Sequence, residues 1–203
     1  MTTLHLGPDN GRLTIHTGVA GAASRAGHNL VIVLDRWSAD VAFEGEAGPD
    51  SARSVELTAE VDSLRIESGS GGVTPLSPLD RRSIRSNALK TLKASTHPEI
   101  TFRSVSLEVG GEDAQQDAAA AGAPRTLVVS GDVTIAGHSR PLTAEVTLAR
   151  GDAAWTAEVQ VAIVQSDFGI KPYSTMLGQL KVSDEVRVGL SVVVPDSQVE
   201  NLP

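Results

Sequence analysis

Between residues 55 and 62 the chain alternates strictly: Val55, Leu57, Ala59 and Val61 fall on one side, and Glu56, Thr58, Glu60 and Asp62 on the other. A period of two is the mark of a strand with one buried face, here with an acidic outer face. The same period runs through Leu127, Val129, Gly131, Val133 and Ile135, and again through Leu142, Ala144, Val146 and Leu148. Turn-forming residues at 136–141 lie between these two runs, which predicts a hairpin. Trp155, Ala157, Val159, Val161 and Ile163 predict another long strand, as do Val186, Val188, Leu190, Val192 and Val194. From residue 99 to 109 the inward set begins as Ile100 and Phe102, then changes parity to Val105, Leu107 and Val109, which a bulge near Arg103 and Ser104 explains. Residues 13–19, 30–34 and 38–43 are shorter candidates, the first two being either separate or one strand interrupted by the small residues of 21–27. The expected total is about eight or nine strands.

One segment breaks the alternation. Ser77-Pro78-Leu79-Asp80 supplies a cap residue, a first-turn proline and an acid three positions after the cap, so a helix is expected over residues 78–93. Ile84, Ala88 and Leu92 form its apolar stripe, leaving Arg81, Arg82, Arg85, Lys90 and Lys93 toward solvent. Residues 110–124 show no strand period and read as a mobile hairpin loop, with a short helix at Ala118–Ala121 as the alternative. Nothing marks a repeat or a second unit, so residues 1–203 read as one domain.

Antiparallel strands in this number must close or stack to hide their edges. An eight-stranded barrel is just wide enough to be filled by its own side chains or to hold one small ligand. The chain has only three Phe, two Trp and one Tyr, and its inward positions are mostly valine, alanine and glycine. Such slender walls leave an apolar space in which a long apolar molecule gains about 0.8 kcal/mol per buried methylene, before binding costs. The same pattern is satisfied if leucines and valines from opposite walls meet and fill the gap. On the hollow reading, the expected lining is Leu57, Ala59, Val61 and Phe102 on one side. Val129, Val133, Val146, Ala157, Val159, Val161, Val188 and Leu190 complete it on the other.

Charge and chemistry narrow the picture. Acidic residues outnumber basic ones 25 to 17, and the net charge of -8 disfavours phosphate backbones and anionic membrane surfaces. The absence of cysteine excludes disulfides, thiolate metal sites and cysteine nucleophiles. The opening Met1-Thr2-Thr3-Leu4-His5 has neither the basic nor the apolar part of a secretory signal, and the aliphatic run 30–34 is too short to cross a bilayer, so a cytoplasmic location is expected. The five histidines have no metal-ligand spacing, no Gly-x-Ser-x-Gly elbow occurs, and no cofactor motif is present. Ser139 beside His138 lacks the strand-to-helix setting of a nucleophile.

Two clusters are candidates for the barrel mouth. His28 and Asn29 follow a small-residue turn and either contact a polar head group or sit in solvated loop. In Ser166-Asp167-Phe168-Gly169-Ile170, Asp167 is placed to bond backbone amides, Gly169 to take a positive φ, and Phe168 and Ile170 to plug the barrel end. Direct ligand contact by Asp167 and Phe168 is the competing reading. Lys171, Tyr173 and Met176 follow in a segment of mixed polarity, where an amphipathic ring and a pliant thioether suit a lipid gate.

Four of these segments, in order, resemble the YceI-like family, described as polyisoprenoid-binding and lipocalin-like. They are His97-Pro98-Glu99-Ile100-Thr101-Phe102 after a helix carrying Arg85, Gly131-Asp132-Val133-Thr134-Ile135 with Gly137 and Pro141-Leu142, the Ser166–Ile170 cluster, and Val182-Ser183-Asp184-Glu185-Val186. The resemblance spans about residues 54 to 194 and departs most in the N-terminal third. It implies an all-β, extended eight-stranded antiparallel barrel with one helical excursion. The enclosed tunnel would take a polyisoprenoid, a quinone-like lipid or a fatty chain, and a homodimer is compatible with it. The expected function is to bind, sequester or carry such a lipid without a covalent step. The alternatives are a small-molecule enzyme on the same barrel, which needs titratable groups converging inside, and a filled-core module that binds a protein on its outer surface.

Overall fold

The computed structural model describes residues 2–45, 48, 51–110 and 124–200, apart from the side chains of Met176 and Glu200. The first six strands are β1 (Thr2–Leu6), β2 (Gly11–Ala20), β3 (His28–Leu34), β4 (Trp37–Phe43), β5 (Ala52–Glu60) and β6 (Leu64–Gly71). Helix α1 (Pro78–Thr91) leads to β7 (Glu99–Gly110), β8 (Arg125–Ile135), β9 (His138–Arg150) and β10 (Ala154–Val164). The short β11 (Ser174–Thr175), the long β12 (Leu180–Pro195) and helix α2 (Asp196–Glu200) complete the described chain. The strands form one strongly curled antiparallel sheet in the order β1-β4-β5-β7-β8-β9-β10-β12-β2-β3-β6, with β11 attached to β12.

The excess over eight strands has a simple origin in three sharp corners. Residues 7–10 join β1 to β2 through a turn in which the Asn10 amide donates to the Gly7 carbonyl (2.9 Å). Asp35 and Arg36 join β3 to β4, and a single 3-10 turn, Val61–Ser63, joins β5 to β6. Pairing continues through the corners, since the Glu60 amide donates to the Arg36 carbonyl (3.0 Å) and the Asp35 amide to the Ser63 carbonyl (3.4 Å). The two ends of the sheet, β1-β4-β5 and β2-β3-β6, are therefore the two halves of the same three bent strands. With β7, β8, β9, β10 and β12 they make the eight-stranded, barrel-like wrap that the sequence predicts. Val61 and Leu64, both almost fully buried, anchor the inside of the β5–β6 corner. Outside it, Arg36 reaches Glu60 (2.6 Å) and Asp62 (2.5 Å), and Arg65 grips Asp35 (2.9 and 3.2 Å). These exposed pairs add little beside the burial of the two aliphatic side chains.

Local expectations are sharpened in four places. Residues 13–19 and 30–34 are not one interrupted strand: Leu13 pairs with Leu34 and Thr17 with Leu30, as neighbours in the sheet. The β7 bulge falls between Ser104 and Ser106, and it turns Val105 outward to 79% exposure; Val109 is exposed as well, so only Leu107 continues the inner face. The β8–β9 hairpin is tighter than expected, with Ile135 paired to His138 around Ala136 and Gly137, both at positive φ (50° and 82°), as a two-residue primed turn requires. Gly131 also meets a steric demand, because a Cβ there would lie 2.2 Å from the Arg103 carbonyl oxygen and 2.8 Å from the Phe102 ring.

Helix α1 begins with the expected capping box: Ser77 Oγ accepts from the Asp80 amide (3.2 Å) and the Asp80 carboxylate accepts from the Ser77 amide (2.9 Å). Ile84, Ala88 and Leu92 pack against the barrel with Leu30, Ile32, Leu64 and Ile66. Arg81 and Arg85, expected in solvent, instead turn back onto β6. Arg81 donates to the carbonyls of Ile66 (3.0 Å) and Glu67, and Arg85 to those of Leu64 (2.8 Å) and Asp62. As the last strand of the sheet, β6 presents carbonyls that no neighbouring strand satisfies, and two guanidinium groups four residues apart on α1 take them. Of the expected loop at 110–124, residues 111–123 lie outside the described residues.

Candidate functional site

The curled sheet encloses a cavity of about 600 Å³. On β9, Leu142, Ala144, Val146 and Leu148 line it, as do Trp155, Ala157, Val159, Val161 and Ile163 on β10. Val186, Val188, Leu190, Val192 and Val194 of β12 form the adjacent wall. From Leu180 to Val194, both on the wall, β12 advances roughly 45 Å, or roughly 35 Å along an axis from which strands tilt by about 40°. Spread over such a length, 600 Å³ is the shape of a thread and not of a chamber. Leu57, Val146, Val159, Val161, Val188 and Leu190 stay only half-buried although they face inward, and the surface they retain faces this lumen. Of the two interiors compatible with the alternation, the chain has the hollow one.

The polar side chains of the wall are gathered at one end. Thr156 excepted, they are Thr17, His28, Asn87, Thr91, Gln165, Tyr173, Thr175 and Lys181. These lie where β2 ends, β3 starts, α1 crosses and β12 begins. Among the described residues no carboxylate lines the cavity, in a chain with 25 acidic residues. His28 is fixed by the Thr74 carbonyl (2.7 Å), which can only accept, so its Nε2 is the donor. Gln165 donates from Nε2 to the Ser183 carbonyl (2.8 Å). Asn87, Thr91, Tyr173 and Lys181 have no side-chain partner among the described residues. The opposite end is closed by α2, whose Val199 lines the cavity and packs with the core below it. Helix α2 is held by Gln198 to the His5 carbonyl (3.1 Å) and to Asn10 (2.8 Å), and by a two-pronged Arg150–Asp196 ion pair.

Most of the expected lining residues are on this wall: Leu57, Ala59, Phe102, Val129, Val133, Val146, Ala157, Val159, Val161, Val188 and Leu190. Val61 and Phe168 are not; Val61 is packed into the β5–β6 corner, and Phe168 belongs with Ile170 to a buried plug beside the β8–β9 hairpin. The Met176 side chain lies outside the described residues. Of the expected mouth residues, His28 and Tyr173 line the cavity, whereas Asn29, Asp167 and Lys171 are exposed and do not. Gly169 takes the expected positive φ (64°). The amide-binding carboxylate of that turn is Asp184 and not Asp167: it accepts from the Ser166 amide (2.9 Å) and hydroxyl (2.6 Å).

Asn87, Thr91, Gln165 and Lys181 were not among the expected site residues. The signal for the first two is in the helix period: Ile84, Asn87, Ala88, Thr91 and Leu92 share one face, so two polar residues interrupt an apolar stripe. Among the described residues no three His, Cys, Asp or Glu side chains are grouped as a metal site.

The sequence matches the family described as YceI-like domain over residues 11–194. No curated protein matches it. The fold is similar to that of BcnA from Burkholderia cenocepacia, at 19% identity and TM-score 0.62, covering 91% of this chain and 96% of that one. It is also similar to a polyisoprenoid binding domain from Saccharophagus degradans implicated in plant cell wall breakdown, at 11% identity and TM-score 0.59, covering 95% and 97%. The YCEI protein of Campylobacter jejuni matches at 16% identity and TM-score 0.54, covering 81% and 83%. At these identities the likeness is one of fold.

Proposed function

Because the chain belongs to the YceI-like family, whose members include polyisoprenoid-binding domains, we propose that this protein holds one long-chain amphiphile, its tail along the lumen and its head at the polar end. One observation carries the reading: a long, narrow, apolar cavity whose polar lining is collected at a single end. An isoprenoid or fatty tail gains about 0.8 kcal/mol for each methylene moved from water to such a wall. A head group meets the Asn87 amide, the Thr91 hydroxyl, the Tyr173 phenol and the Lys181 ammonium, which have hydrogen-bonding capacity to spare. Binding rests on burial and hydrogen bonds, with no covalent step.

Denaturing extraction of the purified protein followed by mass spectrometry tests this. A stoichiometric amphiphile with a long unbranched or isoprenoid tail is the expected result. A protein that yields no lipid, and takes up none after exposure to polyprenols and fatty acids, refutes the reading.

A further inference from the structure

Helix α2 is five residues long, too short to keep its shape unaided, yet it is fastened at three points. The Asp196 amide donates to the Ala153 carbonyl (3.0 Å), and the Asp196 carboxylate accepts both prongs of Arg150, the second at 2.8 Å. Gln198 donates to the His5 carbonyl (3.1 Å) and accepts from the Asn10 side-chain amide (2.8 Å). Arg150 also lies over the Trp155 ring, 5.1 Å from its centre, so the residue that latches α2 braces the cavity wall beside it. These fastenings hold Val199 in place. It lines the cavity and packs into the same core cluster as Leu4, Leu6, Phe43, Trp155 and Val194, which line the cavity too. Away from the polar mouth, the one polar side chain among the described lining residues is Thr156, and its hydroxyl donates to the Ala149 carbonyl (3.4 Å). This end therefore suits the terminal methyl of a tail and not a head group. Helix α2, β1 and Asn10 lie outside residues 11–194, so the family match does not by itself supply this closure.

We propose that Val199 is the stop that sets the longest tail the tunnel accepts, with the Arg150–Asp196 pair and Gln198 as the latch that keeps it there. The inference rests on the tunnel being a lipid site. A tail that ends short of Val199 leaves apolar wall unfilled, so each further methylene is drawn out of water and tightens binding. Once the terminal methyl meets Val199, the next methylene has no wall left to cover. It stays at the mouth, and the head is lifted away from Asn87 and Thr91. Selectivity for tail length thus comes from a side chain at the far end of the lumen from the head group.

The test is a series of straight-chain primary alcohols, from dodecanol upward, competing in detergent solution against one short-tailed fluorescent alcohol. In the parent, each added methylene should raise affinity by up to about fourfold until the tail reaches Val199, and add nothing beyond that length. Val199→Trp should bring this break to a shorter tail and lower the ratio of long-tail to short-tail affinity by at least about tenfold. Asp196→Ala/Gln198→Ala, which cuts two fastenings at residues that do not line the lumen, should carry the break to longer tails or abolish it. Val193→Trp adds the same bulk on the outward face of β12, where Val193 is 48% exposed, and should keep the parent's break. Far-ultraviolet dichroism establishes which variants are folded; if Val199→Trp is not, the double variant decides. The proposal is overturned if affinity in the parent rises through the whole series, or if the break stays at the same length in a folded α2 variant. It is also overturned if Val199→Trp weakens every tail by the same factor, or if Val193→Trp moves the break as far. Alcohols that bind without a break remove the stop and leave the lipid site standing, whereas a parent that binds none of them removes both.

Discussion

Val159→Trp should close the tunnel while leaving the barrel folded. Val159 sits midway along β10, level with Val146 of β9 and Leu190 of β12, and all three side chains face the lumen. Tryptophan brings roughly seven further non-hydrogen atoms into a channel about one chain wide, displacing a similar number of ligand carbons. At about 0.8 kcal/mol each, the loss is about 5–6 kcal/mol, or about four orders of magnitude in affinity. A tail that re-threads past the indole recovers part of this, so the measured loss should fall between about tenfold and that ceiling. Overpacking of a solid core costs about 1–3 kcal/mol, but here the indole enters open space and the thermal midpoint should move little. The matched control is Gln160→Trp, one residue along and on the outer face, which adds the bulk outside. Uptake is read as quenching of a fluorescent polyprenol, and folding as far-ultraviolet dichroism and melting. If both variants are folded and bind the probe like the parent, Val159 does not border the bound ligand and the tunnel is not the site.

Further predictions concern the head end, the helix and the wall. Asn87→Leu combined with Thr91→Val should weaken a polyprenol by about 2 kcal/mol, roughly thirtyfold, but leave squalene, which has no head group, unaffected; equal losses for both in competition binding would argue against a polar head at this end. Ser77→Ala removes the side-chain acceptor of the capping box and should cost about 1 kcal/mol, a fall of about 2–4 °C in Tm for a chain of this size. The Ser77 hydroxyl, and then its amide, hold the Asp80 carboxyl below its ordinary value, so its stabilisation is complete above the usual carboxylate range and is lost as pH falls through the depressed pKa. Melting curves of Asp80→Asn should accordingly show a shallower loss of stability on the acid side than the parent. Gly131→Ala sets a Cβ against the Arg103 backbone, which cannot rotate away, and should cost about 1–3 kcal/mol by chemical denaturation; a neutral result would mean that the β7 bulge shifts freely.

How much of this was legible in the chain differs by residue. The inner face of β10 is readable because the strand period of two leaves Trp155, Ala157, Val159, Val161 and Ile163 no other side to share. The α1 start is readable because a capping box is a contact within four residues, Ser77 to Asp80. Arg81 and Arg85 were not: on a helical wheel they face solvent, and only the free carbonyls of β6, an edge created by the bend at Val61–Ser63, draw them inward. The exchange of Asp167 for Asp184 has the same character, since Ser166 finds its carboxylate on a strand 18 residues away in sequence.

The sequence by itself determined which side chain of each strand turns inward, where the helix begins and where β7 breaks step, because those are decided by contacts within a few residues. Whether the inward side chains would meet was beyond it. The gap between opposite walls depends on how many strands go round, how steeply they tilt and where three of them bend, and these are conditions on the closed sheet as a whole. Tertiary structure alone therefore decided that the interior is a tunnel, that α2 stops one end, and that Asn87, Thr91, Tyr173 and Lys181 gather at the other.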